Sequence, residues 1–149
     1  RPMTKCLGIS CGGPDGTLVD TGSPHLIRFV QGIDEVDVFG RGREIRYSEA
    51  FFEKGVNINF VEITGTDQIK VRTYERGVEN ETLSCGTGVT AAAIACGTRD
   101  MTGPVFISTR GGDLRVSFEN DGSGEFRNVW LIGPAEEVFK GKIDLPEQD

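Results

Sequence analysis

The fold is decided by the stretch Gly86-Thr87-Gly88-Val89-Thr90-Ala91-Ala92-Ala93-Ile94-Ala95-Cys96. Val89, Ala92, Ala93 and Cys96 stand at i, i+3, i+4 and i+7, one face at helical spacing. Alanine is the strongest helix former. The pattern predicts a helix from Gly86 to about Ala95, with Gly97 as its C-cap. Every residue on that face is small, so neighbouring backbone approaches closely. Such a helix suits the interior of a curved sheet.

Outward from the helix the signals are mostly strands. Val56 to Glu62 alternates apolar and polar at period two and predicts a half-buried strand. Ile69 to Tyr74 repeats the pattern after the Gly65-Thr66-Asp67 turn, so the two are expected to pair. Thr17-Leu18-Val19 and Leu26 to Val30 flank a tight turn over Asp20-Thr21-Gly22-Ser23-Pro24-His25. Val105 to Thr109 and Leu114 to Phe118 flank Arg110-Gly111-Gly112-Asp113, a hairpin signal. Phe126 to Ile132 follows a second Gly-rich turn. Val36-Asp37-Val38 reads as a short strand, and Arg43 to Phe52 as a short helix. The expected fold class is α+β: one domain over residues 1–149 with a strongly curved, barrel-like, mixed or antiparallel sheet around a central helix.

Composition narrows the function. The chain has 149 residues, the usual size of one domain, and 21 are glycine, about twice the average share. Sixteen Lys and Arg against 23 Asp and Glu give a net charge of −7. A nucleic-acid module needs a basic face, so no nucleic-acid partner is expected. No apolar run reaches membrane-spanning length, and no membrane partner is expected either. Arg1-Pro2-Met3-Thr4 does not read as a signal peptide, and a sequence opening on Arg1 reads as a processed piece or fragment. The four cysteines, Cys6, Cys11, Cys85 and Cys96, form no CxxC pair and meet a single histidine, His25. A zinc site would need nearly all of them together, so no metal is expected. The bland reading is reduced thiols in a cytoplasmic protein.

Cys85 is the exception. It opens the predicted helix, where backbone N–H groups are unpaired and the dipole is positive. Thiols in that position generally have lowered pKa values. Gly86 and Gly88 clear side chains from the turn, so a ligand anion can lie on the N–H groups of Gly86, Thr87 and Gly88. Just upstream, Glu75 and Arg76 end a strand at Gly77. An arginine binds a carboxylate bidentately, and a glutamate accepts from an ammonium. Together they complement an amino acid. Cys96, at the far end of the helix, reads as a packed thiol, Cys6 and Cys11 receive no role, and His25 reads equally well as a turn residue satisfied by backbone.

Tyr74-Glu75-Arg76-Gly77, followed by Thr82-x-x-Cys85-Gly86-Thr87-Gly88, resembles diaminopimelate epimerase. Val56-Asn57-Ile58-Asn59-Phe60 and Gly22-Ser23-Pro24-His25 support the resemblance, which runs from about Thr17 to Ile143. It implies an isomerase of the lysine and cell-wall precursor pathway that inverts one α-carbon of LL-diaminopimelate to give the meso form without cofactor. Two cysteines would act from opposite faces, one as thiolate base and one as thiol acid. On this resemblance Cys85 is the catalytic cysteine of the C-terminal half. Asn57, Glu75, Arg76, Gly86 and Thr87 match substrate-binding positions, and His25 matches a histidine beside the site. Ser23 stands where many members carry Asn, and a hydroxyl lacks the paired geometry of an amide. The other cysteine motif is not found here, since Cys11-Gly12-Gly13 lacks the Asn and a following helix. The chain is therefore expected to match the C-terminal half alone, to be active only with an N-terminal half as partner, and to form a homodimer. Two alternatives stand beside this: a related racemase of the proline or hydroxyproline type, and a non-catalytic amino-acid-binding module.

Overall fold

The computed structural model describes residues 8–10 and 16–144. Its strands are β1 (Gly8–Ser10), β2 (Thr17–Asp20), β3 (Pro24–Phe29), β4 (Asn57–Ile63), β5 (Gln68–Glu75), β6 (Asn80–Thr82), β7 (Val105–Thr109), β8 (Gly112–Asn120) and β9 (Phe126–Ile132). Two helices, α1 (Val38–Arg46) and α2 (Gly86–Gly97), and a single 3-10 turn, Ile33–Glu35, complete the described elements. The strands form one sheet in the order β1-β2-β3-β4-β5-β7-β8-β9, with β6 also paired to β5. The β3–β4 and β5–β7 pairs are parallel and the remaining pairs antiparallel. One edge of β5 is thus shared, by β7 at its beginning (Gln68–Lys70) and by β6 at its end (Thr73–Glu75).

The expected α+β class, with a strongly curled mixed sheet around a central helix, is what the chain adopts. Helix α2 touches β2, β3, β4, β5, β8 and β9, and every residue from Gly88 to Gly97 is buried. A helix surrounded on all sides by sheet must be thin. At Gly97 an added Cβ would lie 2.5 Å from Phe126 Cε1 and 3.0 Å from Phe118 Cζ. Gly97 is accordingly the last residue of the helix and not its C-cap, a place taken by Thr98 in right-handed helical conformation. The tight approach to two aromatic rings, and not a left-handed cap, is what requires glycine there.

Two cores lie on opposite faces of the sheet. The inner one joins α2 to Ile27, Val61, Ile69 and Val71, with Ile107 and Val116 from the next strands. The outer one packs Leu26, Ile58, Phe60 and Tyr74 against Val38 of α1 and Ile33. Strand β4 was expected to be half-buried, but Asn57 to Val61 is buried on both faces, because α1 covers the side that would otherwise meet water. Gly42 permits this: a Cβ there would fall 2.4 Å from Tyr74 Cβ.

Two local expectations are corrected. Val36-Asp37-Val38 is not a strand. Gly32 turns left-handed (φ 63°) into the 3-10 turn, and Asp37 then caps α1, its Oδ1 accepting from Gly40 N at 2.9 Å. The cap starts the helix at Val38, so α1 ends at Arg46 instead of running from Arg43 to Phe52. The β4–β5 pairing and the β7–β8 hairpin are as expected. In the latter Thr109 pairs with Gly112 across a two-residue Arg110-Gly111 turn.

Candidate active site

Strand alternation sorts side chains by face. The inward face reads His25, Ile27 and Phe29 on β3; Asn57, Asn59 and Val61 on β4; and Val71, Thr73 and Glu75 on β5. It is apolar beside most of α2 and polar beside the helix N-terminus. Buried polar groups must find partners, and here they find each other and the first turn of α2.

Cys85 is the N-cap of α2, in extended conformation (φ −129°, ψ 109°), with Val89 N donating to its carbonyl at 2.9 Å. Its thiol is partly exposed and makes no capping bond, so the first-turn N–H groups stay free of it. Cys85 Sγ lies 3.5 Å from Thr87 Oγ1. Gly86 and Thr87 face solvent, and from Gly88 onward the helix is buried. At Gly88 a Cβ would meet Asn59 Oδ1 at 2.4 Å, so glycine lets the helix start lie directly on the polar face. The loop before Cys85 is fixed by the β7–β8 turn, where Gly111 N donates to Leu83 O at 2.8 Å.

His25 is not a turn residue bonded to backbone. It is fully buried on β3 and bonded at both ring nitrogens by side chains. Nε2 lies 3.0 Å from Thr87 Oγ1, and Nδ1 lies 3.0 Å from Asn59 Nδ2. Burial pushes its pKa down to about 4, the nearby Arg76 charge adds to this, and Asp20 partly opposes it. The ring is therefore neutral at pH 7. Thr21 Oγ1 donates to Thr87 O at 3.1 Å, a second tether on the same residue.

Asn57 braces the rim. Its Nδ2 donates to Ser23 Oγ at 2.9 Å and Pro24 O at 3.0 Å, and its Oδ1 accepts from Arg76 N at 2.9 Å. Ser23 Oγ accepts one of these two amide bonds and the Pro24 carbonyl the other. Both Asn57 amide hydrogens are thus engaged within the protein. Glu75 Oε2 accepts from Thr82 Oγ1 at 2.9 Å, which ties the end of β5 to β6. The Arg76 guanidinium donates to Lys54 O at 2.8 Å, leaving the rest of its five-donor fork unused by that bond. Gly77 (φ 93°) permits the turn that lets Glu75 and Arg76 lie at one rim.

The structure thus joins Ser23, His25, Asn57, Arg76, Thr87 and Cys85 in one hydrogen-bonded cluster, with Gly86 at its open mouth and Glu75 beside it. Sequence reasoning missed Asn59, Thr73 and Thr21. The available signal was Asn57 and Asn59 at alternate positions of a strand, a polar pair where an inward face should be apolar. Cys96 is fully buried, and burial raises its pKa to about 12, consistent with a packed thiol. Cys6 and Cys11 lie outside the described residues. Among the described residues no His, Cys, Asp and Glu side chains group as a metal site, and no helix is long and apolar enough to cross a membrane.

The family model for diaminopimelate epimerase matches residues 17–138. The chain is 48% identical over 127 residues to a diaminopimelate epimerase of Flavobacterium psychrophilum, covering 84% of this chain and 49% of that one. It is 41% identical over 146 residues to one of Aquifex aeolicus, covering 96% of this chain and 51% of that one. The chain spans about half the length of the curated relatives it matches. Among solved structures, a Bacillus anthracis phenazine biosynthesis protein of the PhzF family superposes with a TM-score of 0.52 at 17% identity, over 81% of this chain and 37% of that one. This likeness concerns the fold alone.

Proposed function

Since the chain belongs to the diaminopimelate epimerase family, we propose that it carries one acid/base half of an epimerase site for LL-diaminopimelate, with Cys85 as its reacting group. The observation that carries this reading is Cys85 at the mouth of α2, beside two open positions and backed by a fully satisfied polar cluster.

In the proposed reaction the substrate α-carboxylate lies on the N–H groups of Gly86 and Thr87, at the positive end of α2. The Arg76 fork supplies further donors to a carboxylate, and Glu75 accepts from an ammonium. The Cys85 thiolate takes the α-proton and becomes a thiol, and the electron pair stays on the substrate as a carbanion delocalised into its carboxylate. Donors aimed at that carboxylate lower the barrier because negative charge grows there. A second acid on the opposite face then returns a proton, which inverts the carbon and needs no electron carrier. In the reverse direction the roles exchange.

Cys96 is not that second acid. It is buried, and eleven residues of helix put it about 16 Å from Cys85. The opposing group is proposed to come from a second surface closing over the site, which also excludes water and strengthens the contacts inside.

The test is Cys85→Ala in the enzyme that carries this chain. Interconversion of LL- and meso-diaminopimelate is expected to fall to background, with a trace left in Cys85→Ser, whose hydroxyl is a much weaker base. An active Cys85→Ala enzyme sinks the assignment. Conversion of proline or hydroxyproline in place of diaminopimelate would move it to a related racemase.

A further inference from the structure

Asn59 and Thr73 are 0% and 3% exposed, lie deeper than any group the reaction touches, and have no part in the proposed proton transfer. They nonetheless head a chain of hydrogen bonds that ends at the reacting sulfur. Thr73 Oγ1 donates to Asn59 Oδ1 at 2.8 Å. Asn59 Nδ2 faces His25 Nδ1 at 3.0 Å, and His25 Nε2 faces Thr87 Oγ1 at 3.0 Å. Thr87 Oγ1 lies 3.5 Å from Cys85 Sγ.

Valence gives the chain a direction. The Thr73 hydroxyl spends its only hydrogen on Asn59 Oδ1, which turns the amide nitrogen toward the ring. An amide nitrogen only donates, so His25 Nδ1 accepts and carries no hydrogen. Burial keeps the ring neutral at pH 7, and its one N–H is then on Nε2. That N–H fills a lone pair of Thr87 Oγ1. The Thr87 hydrogen must point elsewhere, and the Cys85 sulfur is the acceptor in reach.

We propose that Asn59 and Thr73 are positioning residues that hold His25 as its Nε2–H tautomer and thereby turn the Thr87 hydroxyl onto the Cys85 sulfur. The functional meaning rests on Cys85 being the acid/base group proposed above. A sulfur anion then meets a fixed donor. When Cys85 is protonated, its own hydrogen is not spent on Thr87 and is left for the substrate carbon. With the amide turned around, the ring would carry Nδ1–H, Nε2 would accept the Thr87 hydrogen, and the sulfur would lose its donor.

His25 is the single histidine of the sequence, so the imidazole 15N spectrum of this chain needs no assignment. At pH 7 we expect a proton-bearing Nε2 and a bare Nδ1. Asn59→Asp puts an acceptor on Nδ1 and is expected to switch the spectrum to the Nδ1–H form. Thr73→Val removes the hydroxyl with little change of shape and is expected to give a mixture, which Thr73→Ser restores. Iodoacetamide labelling of Cys85, read by peptide mapping, should slow about tenfold in Asn59→Asp, the loss of one charge-assisted bond at the weak end of its usual range. Thr87→Val should slow labelling similarly while leaving the tautomer as it was. A wild-type Nδ1–H ring, or an Asn59→Asp protein with unchanged spectrum and labelling, overturns the inference. That result leaves the proposed reaction standing. An active Cys85→Ala enzyme would instead sink the reaction and leave the tautomer untouched.

Discussion

Replacing Arg72 by Lys tests how the site-bearing strand is held. Arg72 points outward from β5, next to Thr73 and three residues before Glu75. Its Nε and NH2 donate to the two oxygens of Glu81 on β6 at 2.7 and 2.9 Å. Its NH1 lies 2.8, 3.1 and 3.0 Å from the carbonyls of Ile33, Asp34 and Val36. One guanidinium thus clamps the 3-10 turn, β5 and the strand leading to Cys85, with only 15% of its own side chain and 12% of that of Glu81 exposed. Lysine keeps the charge but reaches either the carboxylate or the carbonyls, not both. The loss is one charge-assisted bond, about 1.5–3 kcal/mol, partly replaced by water at the exposed carbonyls. We expect Arg72→Lys to cost about 2 kcal/mol, a drop of roughly 4–8 °C in melting temperature. A double-mutant cycle with Glu81→Gln, read by urea denaturation, isolates the pair. The clamp also sets a pH dependence. Arg72 holds the Glu81 carboxyl below its ordinary value. The coupling is therefore full above about pH 4.5 and is lost only as pH falls through the lowered folded value. Arg72→Lys within about 0.5 kcal/mol of wild type, or zero coupling in the cycle, refutes the clamp.

Other outcomes follow from the same geometry. His25 carries the same pH sign in a higher window: its folded pKa of about 4 lies below the ordinary 6.5, so unfolding takes up a proton between those values. Stability should fall by about 3 kcal/mol as pH drops from 6.5 to 4, and comparison of urea curves should show that His25→Gln lacks that part of the slope; equal slopes would contradict a buried neutral ring. Gly42→Ala places a Cβ 2.4 Å from Tyr74 Cβ; the helix gains about 1 kcal/mol, overpacking costs about 1–3, and calorimetry should find a less stable protein, not a more stable one. In native protein Cys85 should be alkylated long before Cys96, which is buried and pushed up to about 12; peptide mapping with equal rates would mean that α2 is not enclosed.

Much of the fold was legible because period-two and period-3.6 patterns report directly on which side chains are buried. The small-residue stripe of α2 announced a helix packed on more than one side, and Gly111 marked the β7–β8 turn. Val36 to Arg46 was misread because Asp37 looks like a strand's polar position, while its side chain in fact caps a helix. The double burial of β4 was not legible, since it depends on α1 crossing the far side at Gly42, a contact with no local signature. In the site, Glu75 and Arg76, and Cys85, Gly86 and Thr87, were visible because they fall in two short runs, one at the end of β5 and one at the start of α2. Asn59 and Thr73 were not, because their meaning arises only when β4, β5 and β3 align. His25 was half visible: a motif marked it, but both its partners are distant in sequence.

The most direct test of the account follows hydrogen at the substrate α-carbon. LL-diaminopimelate is incubated in D2O with the enzyme that carries this chain, wild type and Cys85→Ala, and deuterium is read at both α-carbons by mass spectrometry. The account predicts that wild type builds deuterium into one α-carbon as meso product appears, while Cys85→Ala gives no meso product. Inversion with deuterium uptake at the wild-type rate in Cys85→Ala would contradict it.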